Sequence, residues 1–221
     1  MIPNGLSDPK HPEWGSWGGR YGPVIWGEGH FADSIDTIVD NAGRTIMGSQ
    51  VTIWRWREAV QNDFKARMQW TIHSEFQKAN HAPIAILNND SSRTVIEYVV
   101  EAGDTITLDA SESCDLDGDK LSFKWWQYLE PSSNNNTPKR DVPSLTFDSS
   151  DAARITVRVP DKQVLRKLGR GAHTNADKHL HVILKVSDGD LVSYRRILST
   201  IKGSRENVAV VDINPAQHDE L

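Results

Sequence analysis

Apolar side chains on every second residue, from about residue 83 to residue 199, constrain this chain more than any other feature. That spacing buries one face of an extended strand and leaves the other wet. Ile155, Val157 and Val159 alternate with Arg154, Thr156 and Arg158, and Val182, Leu184 and Val186 share a face. Turn chemistry separates the runs. Asp115-Leu116-Asp117-Gly118-Asp119 precedes Leu121, Phe123 and Trp125, and Ser187-Asp188-Gly189-Asp190 precedes Leu191. Strands are predicted near residues 84–88, 94–100, 104–109, 120–128, 144–147, 153–159, 179–187 and 190–200, with one helical stretch over 161–168. Short strands with turns between them predict a mainly β fold, an immunoglobulin-like β-sandwich over residues 82–202.

The first part of the chain has a different texture. Residues 1–31 are rich in Gly, Pro and Trp and have neither helical nor strand periodicity. Such a stretch reads as an ordered loop, because disordered sequence is poor in aromatics. Residues 50–79 are helical in pattern: Ile53, Trp54, Arg57, Ala59 and Val60 suit a first helix. Asn62-Asp63 is placed as the cap of a second, with Phe64, Met68 and Ile72 at fourfold spacing. Residues 203–221 lack periodicity and are expected to form a flexible tail. The chain of 221 residues is long enough for one domain and a sizeable extra piece.

Composition narrows the function. The net charge of −5 and the lack of a long basic run argue against nucleic acid as a partner. No apolar run has the length of a membrane span, so no membrane partner is expected. The single cysteine, Cys114, excludes an intrachain disulfide framework and a cysteine-based zinc site. Eight tryptophans, several in polar sequence, form either a core or a surface that stacks on a ligand.

Three landmarks occur in one order. Glu13-Trp14-Gly15-Ser16-Trp17-Gly18-Gly19-Arg20-Tyr21 comes first, then Trp54-Arg55-Trp56-Arg57-Glu58-Ala59-Val60-Gln61-Asn62-Asp63-Phe64, then the strand region with its acidic turn. Together they resemble the C-terminal part of the cellulose-binding, nucleoside-hydrolase-like proteins, once filed as a domain of unknown function. The resemblance covers roughly residues 3–202 and implies a division of the chain. Residues 1–81 would be a helical and loop-like remnant of an α/β nucleoside-hydrolase-like domain, ahead of the sandwich at 82–202. Such a domain lays down an Asp-rich calcium site at its first strand, and no such run is found in this sequence. The chain is therefore expected to be the C-terminal portion only, with the missing N-terminal domain as its covalent partner and residues 1–80 poorly packed.

The resemblance also supplies candidate roles. Asp63 would be the calcium ligand and Asn62 would stand where the family carries a histidine, making Asn62 and Asp63 the catalytic candidates. Asn cannot serve as a general acid, and the alternative is that either residue simply caps a helix. Calcium is implied for the complete family protein, whereas no cofactor is expected for this chain, since a hard cation wants about six to eight oxygen ligands. Asp115, Asp117 and Asp119 form a second metal candidate, although turn chemistry alone accounts for them. Trp14, Trp17, Trp126 and Tyr128 are the carbohydrate-binding candidates, and Trp26 shares their setting. The alternative for Trp126 and Tyr128 is cover by the helices of residues 50–79. His179 and His181 read as a solvated strand face, with a metal held by the two neighbouring imidazoles as the alternative.

Asn89-Asp90-Ser91 and Asn135-Asn136-Thr137 are glycosylation sequons at Asn89 and Asn135. The terminal His218-Asp219-Glu220-Leu221 matches a retention signal of the endoplasmic reticulum. No signal peptide is legible at the start, so a lumenal or secretory location requires an upstream one. Two functions follow. One is a carbohydrate-binding protein for cellulose or another β-glucan. The other is an N-glycosyl hydrolase whose catalytic half lies elsewhere, with a nucleoside-like sugar as ligand.

Overall fold

The computed structural model describes residues 4–24, 27–133, 139–168 and 177–202. Trp26, Asn135 and the terminal His218, Asp219, Glu220 and Leu221 lie outside them. The described residues are mainly β. In chain order they form β1 (Tyr21–Pro23), β2 (Phe31–Asp33), β3 (Asp36–Val39), β4 (Thr45–Gly48), α1 (Val51–Trp54) and α2 (Arg57–Ile72). There follow β5 (Ile96–Val100), β6 (Thr105–Asp109), β7 (Ser122–Tyr128), α3 (Leu129–Ser132), β8 (Thr146–Phe147), β9 (Arg154–Arg158), α4 (Lys162–Leu168), β10 (Lys178–Ser187) and β11 (Val192–Ile201).

The alternating half of the sequence forms two sheets. One has the order β5-β11-β10-β7, with β5 parallel to β11 and the other pairs antiparallel. The other has the order β6-β9-β8. Leu108, Ile155 and Val157 of the smaller sheet share one core with Trp125, Leu180, Val182, Leu184, Val186 and Ile197 of the larger. The period of two is thus realised, and it puts the even-numbered residues of β10 inward. Trp125 sits in this core, and its indole N–H donates to the Ala152 carbonyl at 2.8 Å.

One predicted strand is not formed. Residues 84–88 make only single bridges, Ile84 to Cys114 and Leu87 to Asp90. Between Leu87 and Asp90 the chain reverses through Asn88 and Asn89, both in the left-handed region with φ of 49° and 63°. Asparagine tolerates that conformation, so a two-residue turn consumes the length a strand would need.

The first part of the chain is better packed than expected. It holds two antiparallel ribbons, β1–β2 and β3–β4, each strand only three or four residues long. Runs that short show no usable periodicity. The Asp40 carboxylate closes the β3–β4 turn by accepting from the amides of Ala42 at 2.9 Å and Arg44 at 2.8 Å. The two helices occur where expected, but the second begins at Arg57, after Trp56, so Asn62 and Asp63 lie inside it and cap nothing. Phe64, Met68 and Ile72 face solvent. Ala59 and Ala66 point inward instead, because small side chains let the helix sit close to what it covers.

What it covers is the outer face of the larger sheet. Leu6, Trp56, Ala59, Tyr128, Ile183 and Tyr194 form a second core, with Trp17, Val60, Trp126 and Val192 packed against it. Residues 1–81 and the two-sheet unit therefore share buried side chains across the boundary placed at residue 82. Trp54 is half exposed as expected, whereas Trp56 is buried, which corrects its expected exposure. Gly5 shows how close the approach is: a Cβ there would lie 1.8 Å from the Tyr194 carbonyl oxygen, at a φ of +84°. Only glycine fits that position.

Candidate functional site

A polar network anchors the first part of the chain. Asp36, wholly buried, accepts from Arg20 Nε at 2.8 Å, Arg55 Nη1 at 2.8 Å and the Tyr128 hydroxyl at 2.6 Å. Arg20 Nη2 also donates to the Ile35 carbonyl at 2.9 Å. Glu130 of α3 extends the network to Arg55 at 3.4 Å and to Lys139 at 2.7 Å. Burial acts to raise the Glu130 pKa, but Arg55 and Lys139 outweigh it and hold the carboxyl below its usual value. Burial, helped by the Asp36 carboxylate, pushes the Tyr128 hydroxyl well above its ordinary pKa, against the pull of Arg55, so it remains a donor. A Trp-Gly-Gly-Arg-Tyr stretch is ordered here because its arginine lands on a buried carboxylate from β3.

Beside this network lies an open cleft of about 920 Å³. One wall is the N-terminal segment with His11, Glu13 and Trp14, continued by Asp33 and Ile35 around β2. The facing wall is the outer face of the sheet with Glu97 of β5, His179 of β10, and Leu198 and Thr200 of β11. Lys139 and Ser133 close one end. Several of these groups already pair: His11 with Glu13 at 2.8 Å, His179 with Thr200 at 3.0 Å, and Lys139 with Glu130. Among the described residues, Asp33 and Glu97 are exposed and in no ion pair. Exposed carboxylates and imidazoles above apolar patches suit a neutral, hydroxyl-rich ligand, because a carboxylate accepts strong hydrogen bonds from hydroxyl donors. The volume falls in the range of ligand pockets.

The four aromatic candidates lie together, but not as a free platform. Tyr128 is 1% exposed and Trp14 7%. Trp14 has His11 stacked on one face, with centroids 4.0 Å apart, and His181 in a T-shaped contact, 5.3 Å away. Trp126 and Trp17 are partly buried in the second core, Trp126 beside Trp56 at 6.2 Å and Trp17 beside Tyr194 at 6.5 Å. The expectation of an exposed stacking surface is therefore corrected at Tyr128 and Trp14. Rings buried this deeply cannot stack on a sugar. Trp126 and Tyr128 do point away from Phe123 and Trp125, as the alternation implied, and α2 with the N-terminal segment covers them.

The other candidates have structural partners. Asn62 Nδ2 donates to the Asp190 carbonyl at 2.8 Å, tying α2 to the β10–β11 hairpin. Asp63 is held by Arg67 of the same helix, at 2.6 and 3.3 Å. Asp115 accepts from the amides of Asp117 and Asp119, and Asp117 accepts from the amide of His81 at 2.7 Å. The acidic turn thus docks on His81, which is stacked between Trp70 and Phe76. Among the described residues no group of three or more metal-ligating side chains forms, and Asp115 Oδ2 is buried without a hydrogen-bond partner. Asn89 is exposed at the tip of its turn. His179 is exposed as expected, but His181 is 1% exposed, so its strand face is not solvated there. The N-terminal segment covers it.

Two groups were not singled out in the sequence. Arg195 and Arg196 are both fully buried in the middle of β11. Arg195 reaches the Asp90 carboxylate at 2.9 Å and the Asp90 carbonyl, holding the Asn88–Asn89 turn. Arg196 faces the N-terminal segment. The signal was present: two consecutive cations inside Leu191-Val192-Ser193-Tyr194-Arg195-Arg196-Ile197-Leu198 must put one charge on each face of an apolar strand. Asp36 left no such signal.

The architecture is that of a mainly β protein with a two-sheet unit and a cleft at its junction with an N-terminal segment. Residues 105–201 match the family described as the C-terminal domain of the cellulose-binding protein Sde0182. The chain is also similar to a solved nucleoside hydrolase-related hypothetical protein from Saccharophagus degradans associated with carbohydrate metabolism. The identity is 29% and the TM-score 0.64, over 90% of this chain and 45% of that one. This chain thus spans a little under half the length of that relative. A superposition on the endo-fucoidan hydrolase MfFcnA4 of glycoside hydrolase family 107, at 17% identity over 57% of this chain and 14% of that one, has a TM-score of 0.32 and carries no argument. No curated protein sequence matches the chain. The resemblance to the cellulose-binding, nucleoside-hydrolase-like proteins therefore holds in sequence over the two-sheet unit and in structure over most of the chain.

Proposed function

We propose that this chain is a carbohydrate-binding portion of a longer nucleoside-hydrolase-like protein, taking cellulose or another β-glucan in the cleft between the N-terminal segment and the larger sheet. The two-sheet unit is read as its immunoglobulin-like module. The match of residues 105–201 to the C-terminal domain of a cellulose-binding protein carries this reading. The cleft supports it with exposed carboxylates at Asp33 and Glu97 and an exposed imidazole at His179. N-glycosyl hydrolysis remains a reading for the longer protein alone, since here Asn62 and Asp63 are engaged by Asp190 and Arg67.

The test is retention on insoluble cellulose. Asp33→Ala combined with Glu97→Ala is expected to weaken retention about thirtyfold, two hydrogen bonds at about 1 kcal/mol each being lost. Both positions are exposed, so the thermal midpoint should stay in place. Equal retention of variant and wild type would remove the cleft as the site. No retention of the wild type would remove the glucan reading itself.

Calcium is not part of this function in our reading, because Asp63 is held by Arg67 and both Asp115 Oδ1 and Asp117 Oδ2 accept backbone amides. Thermal midpoints in excess calcium and in chelator are expected to agree within about 1 °C, since only a ligand of the native state shifts the midpoint. A rise of several degrees with calcium would show that one of the acidic clusters rearranges around the ion.

A further inference from the structure

The wall of the cleft formed by the N-terminal segment is held from beneath by one side chain. Arg196 donates from Nε to the Leu6 carbonyl at 2.7 Å and from Nη2 to the carbonyls of Trp14 at 3.0 Å and Gly15 at 2.7 Å. Its Nη1 lies 3.1 Å from His181 Nδ1. A guanidinium N–H can only donate, so Nδ1 must accept and the imidazole must be neutral, with its hydrogen on Nε2. The same imidazole makes a T-shaped contact with Trp14, and Trp14 carries His11, which lines the cleft. A continuous stack thus runs from the buried guanidinium to the cleft wall. No carboxylate is among the hydrogen-bond partners of Arg196 within the described residues. Its partners are carbonyls and one imidazole.

We propose that Arg196 and His181 are positioning residues that latch segment 5–15 onto the sheet, and that a proton on His181 unlatches it and dismantles one wall of the cleft. The groups facing the imidazole make protonation costly in place. Arg196 comes from β11, Tyr128 from the register partner β7, His179 from its own strand, and His11 and Arg20 from the N-terminal segment. Arg196 and Arg20 are cationic and burial keeps the tyrosine neutral, while the carboxylates lining the same cleft include Glu13, paired with His11, and Glu97 of β5. Burial first, then Arg196 and the other cations, hold the His181 pKa well below 6.5. Burial also pulls the Arg196 pKa down, to about 10, so it is still charged at neutral pH. Two adjacent buried cations without a carboxylate cannot both persist, and the segment is what can move.

The direction follows from linkage. His181 is neutral in the latched state, and once released it titrates near 6.5. Above that pH both states are neutral and the latch has its full strength. Below it the released state gains a proton that the latched state lacks, and the latch weakens about tenfold per pH unit until the imidazole titrates in place.

The experiment is hydrogen exchange on the 221-residue chain, reported as protection factors for the amides of residues 6–15. Protection is expected to be level from about pH 8 to 6.5 and then to fall about tenfold per unit, while the core amides of Val182 and Leu184 hold. His181→Gln offers an uncharged acceptor that does not titrate, so its acid-dependent loss should vanish. Arg196→Lys cannot span three carbonyls and a ring, and should lower protection of the segment at least tenfold at every pH. If either variant fails to fold, the wild type alone decides: the His181 ring resonances must stay those of neutral imidazole until the segment begins to open. Level protection down to about pH 4.5, or the same loss in His181→Gln, would overturn the latch. The consequence for binding rests on the glucan reading, and cellulose retention should fall with the segment's protection. Wild-type chain that never binds cellulose at pH 8 would sink that reading, while the exchange data would still decide the latch.

Discussion

Asp36→Ala is expected to destabilise the chain by about 3–5 kcal/mol, the cost of removing one partner from a buried ion pair. The carboxylate is wholly buried and is the common acceptor for Arg20, Arg55 and Tyr128. Without it Arg20 keeps only the Ile35 carbonyl, and Arg55 keeps Glu130 at 3.4 Å. Asp36→Asn should cost less, because an amide oxygen can still accept one of these bonds although the charge is gone. Urea unfolding read by tryptophan fluorescence suits the test, since Trp14, Trp17 and Trp56 pack in the same part of the molecule. A loss below about 1 kcal/mol for the alanine variant would mean that water already satisfies both guanidiniums, as at exposed pairs. The network then would not be what orders the N-terminal segment.

The second large effect separates two neighbours. Trp125→Ala should cost about 3–5 kcal/mol, as expected for an aromatic removed from a packed core. Its indole fills the space between the sheets and bonds the Ala152 carbonyl, which would be left without that donor. Trp126→Ala removes a partly buried ring that packs on Trp56 across the other face of the sheet. There a smaller loss of about 1–2 kcal/mol is expected, on the scale of an aromatic pair and its burial. Equal losses at the two positions would show that the two faces of β7 are not divided into a deep core and a shallower interface. Paired replacement of Trp126 and Tyr128 would be a poor probe of sugar binding, because Tyr128 is an integral part of the fold and holds Asp36.

The β-rich half was legible because its physics is local and repetitive. Each strand of a half-buried sheet writes its own pattern, so Ile155, Val157, Val182, Leu184 and Val186 could be placed inward from spacing alone. α2 was legible for the same reason, although its inner face was not: Phe64, Met68 and Ile72 caught the eye, and Ala59 and Ala66 do the packing. Hydrophobicity identifies what prefers burial, whereas close approach of a helix to a sheet selects what is small enough to permit it. The Trp-rich stretches marked the N-terminal segment as ordered, but their aromatics serve as packing. Whether a tryptophan faces a ligand or a neighbouring segment depends on what covers it, and much of that cover comes from distant residues, Tyr194 for Trp17 and Trp56 for Trp126. The same holds for Asp36, His181 and Arg196. Nothing beside Asp36 or His181 in the chain announces a buried charge or a neutral imidazole. The pair Arg195-Arg196 announces a charge on each face of its strand but not the partners. Their partners, Arg20 and Arg55 for Asp36 and the carbonyls of Leu6, Trp14 and Gly15 for Arg196, arrive only when the N-terminal segment lies down on the outer face of the sheet. Periodicity in the sequence determined the sheets, because burial of a strand face repeats every two residues. The cleft and the groups that hold its wall were decided by tertiary structure, because desolvating a charge is tolerable only where distant donors and acceptors converge on it.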